Sequence, residues 1–433
     1  MTLRSAGRRA VALIDGEHYA PVVAETLASL DDNIVAAVLV GGTEKLRGGE
    51  DYGVPLVGSL TEAIAEFEPE VVLDLSDEPV LGPRERFALA SEVLAHGLPY
   101  EGPDFRFEPP ELVEVSRPTL AVIGTGKRVG KTAVTGHVAR LVSQTYRTTV
   151  VAMGRGGPAE PELVLIRPTV ESLVELSRTG RHACSDHLET ALVTGVETVG
   201  CRRCGGGLAG KVARSNVLEG VELACTRDPE LIVLDASGAA VPPIAASSTL
   251  LVVGGNQDPD IAAGYLNRFR ALLSDAVVVT MCEDGPDGAV VRAISAVVRP
   301  GTPVIPSILR PRPLESIAGE RIAWFGTAPR DQHETIGTHL ERSHGARVRH
   351  LSSALADRAR LRDELAHIDA DVFVVELKAG AVDVVVEEAM RRDVRVVIAA
   401  NDVIPLHGEA VLDEVLERLA AEAVQHAASG VAP

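Results

Sequence analysis

Residues 124–132 of the chain have the sequence Gly124-Thr125-Gly126-Lys127-Arg128-Val129-Gly130-Lys131-Thr132, and this stretch decides the fold. It follows the apolar run 119–123 and precedes residues 133–142, whose apolar side chains recur at helical spacing. The pattern predicts a strand, a tight loop and a helix. Glycines let backbone N–H groups turn towards a phosphate, and the helix N-terminus adds partial positive charge. The stretch therefore predicts a nucleotide-binding phosphate loop.

Within that loop, we expect Lys131 to reach the terminal phosphates of the nucleotide and Thr132 to hold Mg²⁺. The predicted nucleotide-binding residues are Gly126, Arg128, Val129, Gly130, Lys131, Thr132 and Ala133.

The spacing of the loop departs from the commonest phosphate-loop pattern, which requires glycine at 125, where this chain has Thr125. The nine-residue form resembles the loop of dethiobiotin synthetase and its relatives, a group that also contains the partition ATPases. In the partition ATPases a second, signature lysine would stand at 126, but this chain has Gly126 there and its additional lysine is Lys127. The difference argues against a partition-type ATPase.

Length and composition favour a soluble α/β protein of two to four domains. The chain has 433 residues, of which 46% are hydrophobic and 24% charged, enough apolar material for a large core. Its net charge of −19 argues against general binding to nucleic acid or to anionic membranes. Residues 117–227 nevertheless hold 15 Lys and Arg against 9 Asp and Glu. This local basic excess predicts a strongly anionic ligand.

The N-terminal residues and the cysteines predict a cytoplasmic protein. The apolar run 10–14 ends at Asp15 and is too short for a signal sequence. Five cysteines, an odd number, indicate reduced thiols. The uncharged stretch 236–257 contains two prolines and several serines and glycines, so we expect a loop and a short buried strand there, not a membrane span.

Apolar runs that end in polar or glycine-rich loops recur along the chain and predict three α/β domains with mostly parallel sheets. Residues 1–115 form a predicted Rossmann-like domain, residues 116–315 a P-loop NTPase catalytic domain, and residues 316–433 a C-terminal α/β domain. Strands are predicted at 148–153, 231–235, 249–253, 276–281 and 303–305, and few strand signals occur between 168 and 227. In the last domain, helices are predicted at 354–367 and 382–392.

Two sets of polar residues outside the P-loop domain follow predicted strands. Asp15, Glu17 and His18 come directly after the first strand and are candidates for ligand binding, although capping of the next helix is an equally good interpretation. Lys378 and residues 401–402 follow strands of the last domain and could reach a shared cleft or lie at the surface.

Asp235 ends a strongly apolar predicted strand about 100 residues after the phosphate loop. An acid in that place is what the Mg²⁺ site of a P-loop enzyme needs, because it holds the metal or its water opposite Thr132. Arg155 follows the predicted strand 148–153, and in P-loop proteins of this group the loop at that place faces the nucleotide. We therefore predict Arg155 as a phosphate contact.

The segment 199–211 combines two arginines with three glycines. Arg202 and Arg203 offer charge, and Gly205, Gly206 and Gly207 offer exposed backbone N–H groups, a combination suited to a multiply charged phosphate ester. The Cys-x-x-Cys pair at 201 and 204 could instead be half of a zinc site, but no second pair with suitable spacing accompanies it.

The order of these segments is similar to that of the cyclic 2,3-diphosphoglycerate synthetase family. The shared segments are the phosphate loop, Gly-Arg-Gly-Gly-Pro at 154–158, Cys-Arg-Arg-Cys-Gly-Gly-Gly at 201–207, Asp-Ala-Ser-Gly at 235–238 and Ile-Asp-Gly-Glu-His-Tyr at 14–19. The resemblance implies that ATP and Mg²⁺ are used to join the two phosphates of 2,3-bisphosphoglycerate into an intramolecular anhydride, with release of ADP and phosphate. ATP is also favoured because no Asn-Lys-x-Asp guanine motif follows the later strands.

The resemblance gives the predicted residues their roles. The predicted catalytic residues are Lys127, Lys131, Asp235 and Arg155. The residues predicted to bind the substrate phosphates are Arg155, Arg202, Arg203, Gly205, Gly206 and Gly207. The predicted metal ligands are Thr132 and Asp235, with Glu189 as a weaker candidate. An exposed helical position is the alternative for Glu189. We expect a small phosphoester as partner, no nucleic acid or membrane, and a homodimer. Two alternative functions remain, a nucleotide-driven switch or metallochaperone that acts on a protein, and a kinase or ligase for another small phosphoester.

Overall fold

The computed structural model describes residues 7–406 and 408–429. Its strands in chain order are β1 (Arg9–Asp15), β2 (Asn33–Gly41), β3 (Leu56–Val57), β4 (Val71–Asp74), β5 (Tyr100–Gly102), β6 (Phe105–Phe107), β7 (Thr119–Gly124), β8 (Thr148–Gly154), β9 (Glu162–Val164), β10 (Glu197–Cys204), β11 (Arg214–Ser215), β12 (Leu231–Asp235), β13 (Ser248–Gly254), β14 (Ala276–Thr280), β15 (Val304–Pro313), β16 (Arg321–Phe325), β17 (Arg347–Ser352), β18 (Val372–Glu376) and β19 (Arg395–Pro405).

The α-helices in chain order are α1 (Ala20–Ser29), α2 (Leu60–Phe67), α3 (Pro83–Ala95), α4 (Lys131–Val142), α5 (Val170–Arg178), α6 (Asp186–Thr194), α7 (Val217–Cys225), α8 (Pro259–Ala263), α9 (Asn267–Leu273), α10 (Ala289–Ser295), α11 (His333–His344), α12 (Arg358–Leu365), α13 (Glu387–Arg391) and α14 (Glu409–Ser429). Short 3₁₀ helices lie at Arg330–Gln332 and Ala354–Ala356, and a π-helix at Ala381–Val386.

The first compact unit contains the N-terminal residues up to 110 together with residues 258–273 and 296–299. Its sheet has the strand order β3-β2-β1-β4-β5-β6, in which only the β5–β6 pairing is antiparallel over the described residues. The helices α8 and α9 belong to this unit, and Ser91 of α3 donates a hydrogen bond to the backbone oxygen of Tyr265 at 3.0 Å. The small parallel sheet predicted for this part of the chain is confirmed.

The second compact unit contains residues 111–257 and 274–295 and the chain from residue 300 onwards. Over its described residues, the strand order is β11-β10-β8-β12-β7-β13-β14-β15-β19-β18-β16-β17, with β9 added beside β10. The strand β7 lies between β12 and β13, and all three are parallel. The predicted phosphate-loop strand therefore occupies the middle of a parallel sheet, as the predicted fold class requires.

The strand β15 joins the two halves of this large sheet. Its residues 304–306 pair in parallel with β14, and its residues 307–313 pair in antiparallel with β19. One core cluster also combines Leu188 and Leu192 of α6 with Phe325 and Phe373 of the C-terminal strands. Residues on both sides of position 315 thus share a sheet and a core.

The domain boundaries at 115 and 315 stay predictions. Contacts divide the described chain near residue 110 and place the parts before and after residue 315 in one unit, because β15 continues across the second boundary.

The secondary structure differs from the prediction in three places. The region 168–227 contains the eight-residue strand β10, which was not predicted because its Cys-Arg-Arg-Cys end is polar. The predicted helix 354–367 is shorter, since Asp357 caps the backbone N–H of Arg360 and α12 begins only at 358. The predicted helix 382–392 is divided between the π-helix and α13. Among the described helices, none combines the length and the apolar character that a membrane crossing needs.

A cavity in the P-loop half of the sheet should destabilise the C-terminal half as well. Leu120 of β7 is fully buried, and the chain's single tryptophan, Trp324 of β16, is also fully buried. We expect Leu120→Ala to lower the free energy of unfolding by about 2 to 5 kcal/mol and to shift the urea transition followed by Trp324 fluorescence. The exposed Leu208 offers a control, since Leu208→Ala should change stability by about 0.5 kcal/mol or less. A Trp324 transition that Leu120→Ala leaves in place would mean that the two halves unfold separately.

Candidate active site

The phosphate loop is held by hydrogen bonds from the neighbouring strands. The backbone N–H of Thr125 donates to Val252 of β13 at 3.1 Å, and the hydroxyl of Thr280 at the end of β14 donates to the backbone oxygen of Val129 at 2.8 Å. Gly130 has a φ of +77°, and a Cβ there would lie 2.9 Å from Leu309. The loop therefore needs glycine at 130, and its backbone is fixed before any ligand arrives.

The helix α4 begins at Lys131 without a side chain that caps its first turn. The N–H groups of a helix N-terminus and the partial positive charge there form an anion site. The side chains of Lys127 and Arg128 are exposed beside the loop, whereas Val129 is buried. The predicted nucleotide residues 126 and 128–133 thus form one continuous turn and helix start with the geometry that a phosphate needs.

Lys131 lies against Asp235, the acid that we predicted to hold Mg²⁺ opposite Thr132. The register of β12 beside β7 brings Asp235 opposite Val122, and the Lys131 ammonium contacts the buried Asp235 carboxylate. Thr135 of α4 donates a second hydrogen bond to the same carboxylate at 3.0 Å. Burial raises the pKa of Asp235, although the charge of Lys131 opposes this shift. The pair unites the phosphate-binding lysine with the predicted metal ligand.

A second lysine–carboxylate pair lies on the other side of Thr132. Lys378 follows β18, and its ammonium contacts the carboxylate of Glu189 on α6 and lies 3.4 Å from the Thr132 hydroxyl. Glu189 is only 8% exposed, and burial raises the pKa of its carboxyl to about 7. The alternative that Glu189 is an exposed helical residue is wrong. The local sequence around α6 did not predict the burial of Glu189, because its partner Lys378 comes from a distant part of the chain.

The other polar residues that follow the C-terminal strands lie in separate contacts. The Asn401 amide donates to Glu376 at 3.0 Å, and Asp402 accepts from the Arg312 guanidinium at 2.7 Å.

Arg155 and Arg203 converge, as predicted for a site that binds a charged ester. A Cβ placed on Gly238 would lie 2.8 Å from an Arg155 amino nitrogen and 3.3 Å from one of Arg203. Arg203 is 9% exposed and donates to the backbone oxygens of Gly205 and Ser237, both at 2.7 Å. Its Nε has no hydrogen-bond partner among the described residues. Burial, and then the charge of Arg155, lower the pKa of Arg203.

Gly238 connects this arginine pair with the phosphate loop. Its φ of +60° is in the left-handed region that favours glycine. A Cβ placed on Gly124, the first residue of the phosphate loop, would lie 3.2 Å from the Gly238 oxygen and 3.5 Å from the Lys131 side chain. Lys131 thus lies at Gly124 and the two guanidinium groups at Gly238, and these two glycines are close to each other.

Arg202 does not join this group. Successive side chains of β10 alternate between the two faces of the sheet, so Arg203 is buried while Arg202 is exposed on the opposite face. The glycines that follow β10 are exposed in a loop. In that loop, a Cβ on Gly206 would lie 3.2 Å from the Arg203 guanidinium, and the Gly207 N–H donates to the Lys211 oxygen at 2.8 Å.

The cysteine pair gives no support to the zinc alternative. Cys201 is buried and Cys204 is exposed, and the cysteines of the chain are free thiols. Burial raises the pKa of Cys201 to about 12, which disfavours the thiolate that a metal requires. Within residues 7–406 and 408–429, no cluster of three or more His, Cys, Asp or Glu side chains is arranged to hold a metal ion.

The polar residues after β1 stabilise their own loop in the first unit. Asp15 is 2% exposed and accepts hydrogen bonds from the backbone N–H groups of Glu17 and Asp77 and from a ring nitrogen of His18, all at 2.9 Å. Burial raises the pKa of Asp15, but these hydrogen bonds lower it more, so that the net shift is downwards. The helix α1 begins after Tyr19 without a side-chain cap, so the interpretation that Asp15 caps this helix is wrong.

Comparison with known proteins identifies the family. Profiles described as the N-terminal, P-loop and C-terminal domains of cyclic 2,3-diphosphoglycerate synthetase match residues 9–108, 119–305 and 313–402. A protein of that name from Rubrobacter xylanophilus is 45% identical over 414 residues, which cover 91% of this chain and 94% of the relative.

The chain belongs to the cyclic 2,3-diphosphoglycerate synthetase family. Another relative named cyclic 2,3-diphosphoglycerate synthetase, from Pyrococcus abyssi, is 41% identical over 412 residues, 92% of this chain and 95% of that protein. Among solved structures, LpxK from Aquifex aeolicus in complex with ATP has a TM-score of 0.44 and 15% identity over 71% of this chain and 90% of that chain. The family resemblance predicted from the order of the segments is confirmed.

The raised pKa of Glu189 makes the stability of this member of the cyclic 2,3-diphosphoglycerate synthetase family depend on pH. Because the folded-state pKa of about 7 exceeds the ordinary value of about 4.3, the folded protein holds a proton that the unfolded chain releases between these values. The Glu189 contribution to stability is therefore present at low pH and is lost as pH rises to about 7.

We expect the free energy of unfolding of the wild type, minus that of Glu189→Gln, to rise on acidification from about pH 7 to about pH 5. Chemical denaturation at a series of pH values measures this difference. A difference that stays constant or falls over this range would contradict the raised pKa.

Proposed function

We propose that the protein converts 2,3-bisphosphoglycerate and ATP to cyclic 2,3-diphosphoglycerate, ADP and phosphate. The convergence of Arg155 and Arg203 across Gly238, beside Lys131 of the phosphate loop, is the observation that carries the proposal. Two guanidinium groups this close repel each other unless an anion lies between them. A phosphoester there would place its phosphate next to the terminal phosphate of a nucleotide.

The residues of this chain fit ATP and Mg²⁺. The turn at 126–130 and the start of α4 present N–H groups to phosphates, and Lys131 adds a cation. The hydroxyl of Thr132 and the carboxylates of Asp235 and Glu189 are hard oxygen donors of the type that Mg²⁺ prefers. We propose these residues as the metal site, in which bound Mg²⁺ would neutralise charge on the phosphates.

Two in-line displacements give the proposed reaction. An oxygen of one substrate phosphate attacks the γ-phosphorus, the bond from that phosphorus to the β-phosphate oxygen breaks, and ADP leaves. An oxygen of the second substrate phosphate then attacks the phosphorus of the first, the new anhydride bond breaks, and inorganic phosphate leaves as the ring closes. Each step forms one P–O bond and breaks one, so no oxidant or further reactant is needed.

Positioning and charge neutralisation by protein side chains supply most of the catalysis in phosphoryl transfer. We assign Lys131 to the β- and γ-phosphates and Lys127 or Arg128, both exposed beside the loop, to charge that develops on the transferred group. Arg155 and Arg203 hold the substrate phosphates and bring an attacking oxygen towards the γ-phosphorus.

The remaining substrate-binding assignments differ in their structural support. The loop of residues 205–207 borders the Arg203 guanidinium and can contribute backbone N–H groups. Arg202 could reach the substrate only after the loops around β10 rearrange, because its side chain is on the other face of the strand.

Family membership disfavours a protein-directed switch or metallochaperone. The partner that we propose is the small phosphoester, and the cytoplasm, where ATP and phosphoglycerates occur, is the compartment. Homodimer formation stays a prediction.

Phosphorus NMR provides the test of this function. We expect purified protein with Mg-ATP and 2,3-bisphosphoglycerate to produce the resonances of a cyclic anhydride, together with equal amounts of ADP and phosphate. Lys131→Ala should lower the rate by about 100-fold or more. ADP release without a cyclic product would refute the function and leave only an ATPase.

The two adjacent arginines should differ in their effects. Arg203→Lys keeps the charge but loses the planar fork that binds phosphate through two hydrogen bonds, so we expect the KM for 2,3-bisphosphoglycerate to rise by about tenfold or more. The KM for ATP should change much less, and Arg202→Lys should have the smaller effect on both. Arg227→Lys is the matched control, because Arg227 pairs with Glu197 at the surface. Equal increases in the two KM values for Arg203→Lys would contradict the assignment.

A further inference from the structure

Lys378 occupies an unusual turn between β18 and the π-helix 381–386. Its backbone N–H donates to the Glu376 oxygen at 2.8 Å, and the following residue, Ala379, has a φ of +43°, in the left-handed region. A left-handed alanine costs conformational energy, and π-helices are rare and frequent at functional sites. Lys378 therefore lies in a turn whose backbone conformation is costly and is followed directly by a π-helix.

The side chain of Lys378 reaches the phosphate loop. Its ammonium contacts Glu189 and lies 3.4 Å from the Thr132 hydroxyl, which is the proposed Mg²⁺ ligand. Lys131 makes the equivalent contact with Asp235. Each of two lysines beside the phosphate loop is thus paired with a buried carboxylate.

Stabilisation of the fold does not explain this arrangement well. The Glu189 carboxylate is buried, while the Lys378 side chain is 33% exposed. Even a fully buried lysine–carboxylate pair loses so much hydration that replacing it with apolar side chains is often neutral or stabilising, and a partly exposed pair contributes little more. Asp186 and Glu376 add electrostatic attraction to the Lys378 ammonium without forming an ion pair with it.

The Mg²⁺ ion and the Lys378 ammonium compete for the same oxygens. Both are cations, and repulsion between them at a separation of a few ångströms in a partly buried site is strong. A metal on Thr132 and Glu189 would therefore expel the ammonium, and the flexible four-carbon stem of lysine allows it to move. The nearest anion then would be the terminal phosphate of the nucleotide on the same loop.

We propose that Lys378 is a second phosphate-binding lysine of the active site, which exchanges Glu189 for the transferred phosphoryl group when Mg-ATP binds. The proposal rests on the proposed nucleotide site, but not on the identity of the phosphoester. It gives the C-terminal part of the chain a direct catalytic role, and it assigns Glu189 two successive partners, Lys378 before the metal binds and Mg²⁺ afterwards.

Chemical labelling of the wild-type protein tests the contact directly. An ATP derivative with an acyl group on its terminal phosphate transfers that group to lysine amines that touch the phosphates. We expect mass spectrometry to find Lys378 acylated, with labelling suppressed by excess ATP. Acylation confined to Lys127 and Lys131 would overturn the proposal. The readout needs no phosphoester, so failure of the proposed ring closure leaves this test intact.

A neutral pair of similar shape separates catalysis from stability. The double variant Lys378→Met/Glu189→Gln removes both charges, so no unpaired charge is left buried, and we expect its thermal unfolding midpoint to stay near that of the wild type. Glu189→Gln alone is the reference, because it lacks the same proposed Mg²⁺ ligand. Relative to it, the double variant should lower the kcat for ADP formation by about 100-fold or more, while the KM for ATP should differ by only about threefold, since the lost Lys378 contact acts on the transferred group. Lys45→Met, at a partly exposed lysine of the first unit, is the matched control.

The outcomes of the double variant are distinct. A stable double variant with kcat within about threefold of that of Glu189→Gln would show that Lys378 is structural and would overturn the proposal. Normal ADP formation by the wild type without a cyclic product would refute the proposed function instead, and the comparison of kcat values would still decide the role of Lys378.

Discussion

The contact between Lys131 and Asp235 is the interaction on which the rest of the site depends. It requires that β7 and β12 lie side by side with Asp235 opposite Val122, because only this register ends both strands at the same edge of the sheet. The same register places Gly238, three residues beyond Asp235, against Gly124. The arginines from the loop after β8 and from β10 then meet the phosphate loop across that glycine. One strand pairing therefore joins the nucleotide half of the site to the substrate half.

Charge in the site is arranged for ligands that carry many negative charges. Each lysine beside Thr132 is paired with a buried carboxylate, whereas Arg155 and Arg203 face each other across Gly238. The lysine pairs keep the cations in position, and the carboxylates are of the type that binds a divalent metal. The arginine pair brings two positive charges together, which a phosphate would neutralise. The site thus separates a region suited to metal and nucleotide from a region suited to a phosphoester.

Sequence patterns predicted those parts of the fold that rest on local chemistry. Apolar runs that end in a loop or an acid gave β7, β8, β12 and β13, because a buried parallel strand needs side chains that are apolar on both faces. The prediction placed Lys131 and Asp235 in one nucleotide site, but their direct contact was not predicted. Arg155 and Arg203 were predicted to hold the substrate phosphates together. The structure shows that their guanidinium groups are close to each other.

Other parts of the site depend on long-range contacts that local patterns do not contain. The strand β10 ends in polar residues, so neither its existence nor the opposite directions of Arg202 and Arg203 could be predicted. Lys378 lies 189 residues from Glu189 along the chain, and its position depends on β15, which carries the sheet into the C-terminal part. The π-helix 381–386 has the apolar spacing of an α-helix, and only its hydrogen bonds distinguish it. The missing information therefore concerns which distant elements share a sheet.

A crystal structure of the protein with Mg²⁺, a non-hydrolysable ATP analogue and 2,3-bisphosphoglycerate tests the central claim most directly, namely that both halves form one site across Gly238. The account predicts the γ-phosphate on the α4 N-terminus and Lys131, and a substrate phosphate on Arg155 and Arg203. An oxygen of that phosphate should lie about 3 to 3.5 Å from the γ-phosphorus, in line with the bond that breaks. A phosphoester bound away from Gly238, with Arg155 and Arg203 not in contact with it, would contradict the account.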